Sequence, residues 1–157
     1  MKRLHIHIGV ENIEQAIPFY TALFGADPVK TKTDYAKWLL DDPRVNFAIS
    51  TRPSKKGVDH LGIQVDDNAE LDEVRGRIES AGLSAFDEGE TVCCYAKSDK
   101  TWVQDPAGMA WETYRTMEDA EIYGKDPVMS NGACCTPEAM GTPKCGEPSK
   151  QTAECCG

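Results

Sequence analysis

Between Leu4 and Val10 apolar and polar positions alternate: Leu4, Ile6, Ile8 and Val10 fall on one side of an extended chain, His5, His7 and Gly9 on the other. A period of two marks a strand with one greasy and one polar face. The period then changes. Asn12 is placed to cap a helix whose apolar stripe runs Ile13, Ile17, Tyr20 and Phe24 and whose stop is Gly25, a residue that adopts the left-handed conformation without steric cost. Pro18 inside that helix removes one backbone hydrogen bond. Extended runs follow at 28–32, 35–40 and 45–50. The predicted order is strand, helix, three strands.

The order then recurs. From Val58 a second strand alternates Leu61, Ile63 and Val65 against His60, Gly62 and Gln64. Asp67 with Glu70 forms a capping box for a helix with the stripe Leu71, Val74, Ile78 and Ala81 and the stop Gly82. More strands follow, the last at 109–114 after the turn Asp105-Pro106-Ala107-Gly108. A shift of 55 residues lays His5 on His60, Ile6 on Leu61, Ile8 on Ile63 and Val10 on Val65. Tyr35-Ala36-Lys37 is echoed by Tyr95-Ala96-Lys97, and Asp42-Pro43 by Asp105-Pro106. Two amphipathic strands match in their aliphatics by chance; coincident histidines do not follow from amphipathicity. The expectation is an α+β fold of two βαβββ modules, about 1–55 and 56–120, within a domain spanning 1–123.

Composition changes at Gly124. Residues 124–157 contain no aromatic residue, Leu or Ile, but hold four prolines and five of the seven cysteines, Cys134, Cys135, Cys145, Cys155 and Cys156. A segment so poor in apolar surface does not offset its ordering entropy, so a flexible, disordered cysteine-rich tail is expected. The whole chain, 157 residues, suffices for one sizeable core and not for two ordinary domains. Its net charge of -9 argues against phosphate backbones and anionic lipid as partners. No run of about eighteen apolar residues and no signal-type cleavage site is evident, so neither a membrane nor export is expected. Seven cysteines then imply a reducing, cytoplasmic setting in which thiols serve metal, redox or nucleophilic chemistry.

Equivalent strands of a duplicated unit, brought together by a pseudo-twofold axis, turn their polar faces into one cleft where His5 and His60 can converge. A third ligand is expected from the last strand, where Glu112 stands between bulky apolar neighbours and would be costly unpaired. With the two Asp-Pro pairs as register, its first-half counterpart is Ile49, so three protein ligands are expected and not four. Two imidazoles and one carboxylate with open positions suit Fe(II) and dioxygen; zinc, nickel or manganese could fill the same site. His7 shares the face of His5 and is the second choice, because its counterpart is Gly62.

The strand bearing His5, the helix ending Phe19-Tyr20 through Leu23-Phe24-Gly25, the run His60-Leu61-Gly62-Ile63-Gln64-Val65 and the ending Asp105-Pro106-x-Gly108-x-x-Trp111-Glu112 resemble the vicinal oxygen chelate superfamily, which includes glyoxalases and extradiol dioxygenases. The resemblance covers residues 1–120. It implies paired βαβββ modules forming a half-barrel around a divalent metal, with His5, His60 and Glu112 at the ligand positions. Fold alone does not choose among the superfamily's reactions.

Cys93-Cys94 narrows the choice. Neighbouring thiols make a strained disulfide, and on a regular strand their side chains diverge, so joint capture of one atom requires a bend. Soft thiolates select soft acceptors such as trivalent arsenic. Thr91-Val92-Cys93-Cys94-Tyr95-Ala96 followed by Asp99-Lys100-x-Trp102-Val103 is similar to the ferrous carbon-arsenic lyases and their cadmium-inducible relatives. That resemblance implies an iron(II)- and O2-dependent lyase that cleaves the carbon-arsenic bond of trivalent organoarsenicals, methylarsenite or aryl arsenites, to arsenite, with Cys93 and Cys94 holding the arsenic. Two alternatives stay open: a non-catalytic thiol protein that sequesters cadmium or arsenite, and another metalloenzyme of the glyoxalase and dioxygenase superfamily. The tail cysteines could gather soft metal ions. Superfamily members pair modules within a chain or between chains, so a homodimer also stays open.

Overall fold

The structure, a computed structural model, describes residues 1–121; the expected tail at 124–157, with Cys134, Cys135, Cys145, Cys155 and Cys156, lies outside the described residues. The first half runs β1 (Arg3–Gly9), α1 (Ile13–Phe24), β2 (Lys30–Lys32), β3 (Tyr35–Asp41) and β4 (Arg44–Ser50). The second runs β5 (Gly57–Val65), α2 (Asn68–Ser80), β6 (Ala85–Cys93), β7 (Ala96–Gln104) and β8 (Ala110–Asp119). Both helix starts form as their side chains dictate: Asn12 accepts from the Gln15 amide and Asp67 from the Glu70 amide. Gly25 closes α1 in the left-handed region at φ 62°. β8 continues past the expected end at Tyr114, because Arg115–Asp119, though polar, still finds partners along β7. No helix among the described residues is long and apolar enough to cross a membrane.

All eight strands form one sheet in the order β2-β3-β4-β1-β5-β8-β7-β6. That order is palindromic under exchange of the halves, which is what a duplicated βαβββ unit requires. At its centre β1 and β5 pair antiparallel, with Ile6 opposite Leu61, His5 opposite Gly62 and His7 opposite His60. Ile6 and Leu61 are counterparts under the 55-residue shift, so the pseudo-twofold passes through their pair. Between His7 and Ile8 the register slips: His60 pairs with His7 but Val58 pairs with Ile8, leaving Asp59 as the extra residue of a bulge.

The registers also correct one sequence assignment. Phe47 pairs with Ile6 and Trp111 with Leu61, so the counterpart of Glu112 is Ala48 and not Ile49. The β3–β4 connection has two residues between its strands whereas the longer β7–β8 turn spans 105–109, and this difference displaces the Asp-Pro echo by one position. Alanine binds no metal either, so the expected number of protein ligands is unchanged.

The apolar face of β1 packs on α1, in a core of Ile13, Ala36, Trp38, Phe47 and Ile49 joined by Ile6, Ile8, Ile17, Tyr20 and Phe24. The histidine face is nonetheless the more deeply covered: His7 and His60 are each 1% exposed, whereas Leu4 is 39% exposed. Curling of the sheet explains this. The β2–β3 turn of the first half meets the β6–β7 turn of the second, where the Tyr95 hydroxyl donates to Asp34 Oδ1 at 2.6 Å and Lys30 Nζ donates to the Tyr95 carbonyl at 2.8 Å. The concave side thereby becomes a partly closed chamber.

Candidate metal centre and thiol pair

His5 stands on β1, His60 on β5 and Glu112 on β8, three strands side by side in the sheet. His5 Nε2 lies 3.3 Å from His60 Nε2 and 3.2 Å from Glu112 Oε1, and His60 Nε2 lies 3.5 Å from the same oxygen. All three side chains are buried. Glu112 reaches the histidines by passing close over Gly62, where a Cβ would come within 2.5 Å of the Glu112 carbonyl oxygen and 2.7 Å of its Cγ. The second half therefore carries glycine where the first carries His7.

The outer nitrogens decide what the inner ones can do. His5 Nδ1 donates to the Asn46 carbonyl at 3.0 Å, and His60 Nδ1 donates to Asp59 Oδ2 at 2.7 Å. In the neutral imidazoles both Nε2 atoms are then acceptors. Two nitrogen lone pairs and a carboxylate oxygen converge with no donor among them, an arrangement that calls for a cation. Separations of 3.2 to 3.5 Å suit three donors each about 2.0–2.2 Å from one ion. The donor set thus fits a borderline divalent metal such as Fe(II), Zn(II) or Mn(II).

The surrounding charges differ between the two histidines. Burial pushes His5 down to about 3, against a partial lift from the Glu112 carboxylate. Burial acts on His60 in the same direction, but its hydrogen bond to Asp59 and the negative charges of Glu112 and Asp59 outweigh it and the group is raised. Glu112 is held well below the usual carboxylate range; burial opposes this, and the Lys100 ammonium and His60 overcome it. Lys100, 4% exposed, donates from Nζ to Glu112 Oε2 at 3.1 Å. Glu112 thus offers Oε1 to the histidines while Lys100 balances Oε2.

Cys93 ends β6, and Cys94 opens a two-residue turn with Tyr95. Both turn residues are left-handed, at φ 56° and 59°, the geometry of a tight hairpin that ordinarily favours Asn and Gly. For two side-chain-bearing residues this costs about 1–2 kcal/mol each. The contacts of Tyr95 with Asp34, Lys30 and the Tyr35 ring offset it. The turn is the bend that joint use of the two sulfurs demands, and it sets Cys93 Sγ and Cys94 Sγ 3.2 Å apart, so the two are not bonded to one another. Cys93 packs with Tyr35, Tyr95 and Ala48, the small residue that occupies in the first half the place of Glu112.

The structure brings the sequence-selected residues together. His5, Glu112, Cys93 and Cys94 line a single cavity, and His60 adjoins it through Nε2. His7 does not join the triad: its Nδ1 donates to Asp59 Oδ2 at 3.2 Å and its Nε2 accepts from the Ser50 hydroxyl at 3.0 Å. Two groups were not singled out by sequence reasoning. Lys100 carries no mark in the sequence beyond alternation along β7, which puts it in phase with Ser98 and Trp102. Asp59 should face away from its neighbour His60 on a regular strand, and only the bulge turns it back.

Comparison with known proteins bears on the family and the fold. Residues 2–113 match the model of the Glyoxalase/Bleomycin resistance protein/Dioxygenase superfamily. The chain is 40% identical to a trivalent organoarsenical cleaving enzyme of Bacillus sp. strain MD1, over 99% of both chains. It is 36% identical to the cadmium-induced protein CadI of Mycobacterium bovis, over 81% of this chain and 84% of that one. Among solved structures, the Mn(II)-bound glyoxalase of Novosphingobium aromaticivorans superposes with a TM-score of 0.53 at 18% identity, covering 78% of this chain and 42% of that one. Homoprotocatechuate 2,3-dioxygenase of Arthrobacter globiformis gives 0.53 at 18%, covering 76% and 37%. These structural likenesses concern the fold. With its duplicated βαβββ sheet and the family match across nearly all the described residues, the chain belongs to the glyoxalase/bleomycin resistance protein/dioxygenase superfamily.

Proposed function

We propose that this protein is an iron(II)- and O2-dependent lyase that cleaves the carbon-arsenic bond of trivalent organoarsenicals, methylarsenite or aryl arsenites, and releases arsenite in arsenic detoxification. The observation that carries the reading is the shared cavity: His5 and Glu112 of a two-histidine, one-carboxylate cluster and a pair of adjacent cysteines line one space, with His60 adjoining it through His5. Relatives named for organoarsenical cleavage, 34–41% identical over most of the chain, support the substrate class.

His5, His60 and Glu112 would hold the metal, which when bound supplies the oxygen-activating chemistry. The remaining work belongs to the chain. In the reduced protein Cys93 and Cys94, as thiolates, would grip trivalent arsenic while leaving its carbon substituent in place, a task for which soft sulfur is suited and hard ligands are not. Tethering turns an encounter between two dilute partners into a local reaction. Lys100 keeps Glu112 ionised and therefore able to ligate. Tyr35 and Tyr114 form part of the wall and limit water in the chamber. The carbon-arsenic bond breaks, dioxygen oxidises the carbon fragment, which for methylarsenite leaves as formaldehyde with one oxygen atom, and the other oxygen atom leaves on arsenic as trivalent arsenite.

One observation favours a second reading. The cadmium-induced relatives and the 3.2 Å separation of the sulfurs also suit a protein that sequesters cadmium or arsenite without turnover. A buffer has no use for the triad, and this separates the two. Reduced full-length protein loaded with ferrous ion and given methylarsenite should release arsenite in air and none under nitrogen. Cys93→Ser or Cys94→Ser should abolish release. Arsenite formed without oxygen, or formed undiminished by both substitutions, rejects the lyase; stoichiometric arsenic retention with no product in air supports sequestration.

A further inference from the structure

The two histidines of the triad are anchored differently, and the duplication does not account for the difference. His5 Nδ1 is served by a backbone carbonyl of β4, a partner any residue at position 46 would provide. His60 Nδ1 is served by a carboxylate, and under the 55-residue shift the counterpart of Asp59 is Leu4. Asp59 reaches His60 because it is the unpaired residue of the β5 bulge, a device that re-aims a side chain out of strand phase. Its Oδ2 accepts from His60 at 2.7 Å and from His7 at 3.2 Å, and His7 is itself braced by the Ser50 hydroxyl at 3.0 Å. Ser50, His7 and His60 are all essentially buried, so the row is fixed by packing as well as by hydrogen bonds.

We infer that Asp59, braced by His7 and Ser50, is the positioning group of the His60 ligand: it keeps the His60 proton on Nδ1 and so holds the Nε2 lone pair on the metal position. His7, Asp59 and His60 also lie close enough to resemble a ligand set of their own. The two clusters compete for one imidazole, however. A neutral His60 that binds through Nε2 carries its proton on Nδ1, and that proton occupies the centre of the second cluster. The third imidazole therefore acts as a brace and not as a ligand. An outer-shell carboxylate of this kind orients the ring and raises its basicity, and its loss typically weakens metal binding about 10–100-fold.

The inference rests on the proposed use of His60 as a ligand and is independent of the arsenical chemistry. The full-length reduced chain is titrated with Co(II), and uptake is followed by visible absorption and by metal analysis. The parent should take up one ion per chain at nitrogen and oxygen ligands, counted apart from ions on the cysteines, which carry sulfur-to-cobalt charge-transfer absorption. Asp59→Asn should bind about 10–100-fold more weakly, and His7→Gln should still bind one ion with a smaller loss. In the Zn(II)-loaded parent, histidine nitrogen NMR should show His60 bound through Nε2 with its proton on Nδ1, a readout that needs no variant to fold. An Asp59→Asn affinity within about twofold of the parent overturns the inference. So does His60 bound through Nδ1, abolition of uptake by His7→Gln, or a second ion bound by imidazole nitrogen. A parent that takes up no Co(II) removes the metal reading together with this one, whereas failure of arsenite release with normal Co(II) behaviour leaves it standing.

Discussion

Lys100 carries an ammonium into the most enclosed part of the molecule, 3.1 Å from a carboxylate that also faces two imidazoles. Removing one member of a buried ion pair strands the other, which typically costs about 3–5 kcal/mol. Lys100→Met should therefore destabilise the metal-free protein by about that much, and by distinctly less when Zn(II) is present, because the ion supplies the missing positive charge. Urea unfolding in chelator and in Zn(II) measures both; equal losses would show that Lys100 is not what balances Glu112. The candidate ligands could be picked out from sequence because each is improbable where it stands, His5 and His60 at matching places in a repeat and Glu112 among apolar neighbours. Asp59 and Lys100 were not, for opposite reasons. A bulge breaks the phase that would place Asp59, and Lys100 obeys strand phase on a segment whose edges the residues did not mark.

The same contrast holds for elements. Both helices announce themselves through caps and stripes, and α1 starts and stops where Asn12 and Gly25 require. β6 and β7 do not, since charged residues fall on both sides along 85–104 and ladder pairing, not a hydrophobic face, holds them together. Their turn is a structural commitment of its own. Asp34 joins it to the first half by accepting from the Tyr95 hydroxyl, with Arg52 Nε donating to the other oxygen at 2.6 Å. Burial alone would raise the Asp34 carboxyl, but the Tyr95 and Arg52 hydrogen bonds prevail and its pKa is lowered. A depressed carboxylate contributes stability above its unfolded value, about 3.9, and that contribution is lost as pH falls through the folded value. Tyr95→Phe should thus lower the thermal midpoint at neutral pH and make the midpoint less sensitive to acid below about pH 4. A variant whose acid profile parallels the parent's would disconnect this hydrogen bond from the acid response.

At the scale of the molecule, duplication supplied most of what could be foreseen: two βαβββ units, helices on the convex side, and equivalent strands meeting at a pseudo-twofold. Curvature was out of reach, because it arises from contacts between hairpin turns far apart in the chain, and those contacts make the polar face the deeper one. Since the candidate ligands come from strands of both halves, metal should stabilise the whole domain. At a free ion concentration one hundred times the dissociation constant the gain is about 2.7 kcal/mol. Calorimetry should show a midpoint that climbs with added Zn(II) and falls back in chelator; a midpoint indifferent to metal would argue against binding at the β1–β5 junction.

The ordering of the triad along the polypeptide has a consequence for biosynthesis. His5 stands on β1 and is made well before Glu112, which belongs to β8, the last strand of the described residues. A growing chain on the ribosome holds the imidazole of β1 early but cannot assemble the full claw until β8 has emerged and zipped alongside β5. Premature capture of a metal ion by a half-built sheet is thereby discouraged, and the candidate ligands come together only with completion of the sheet.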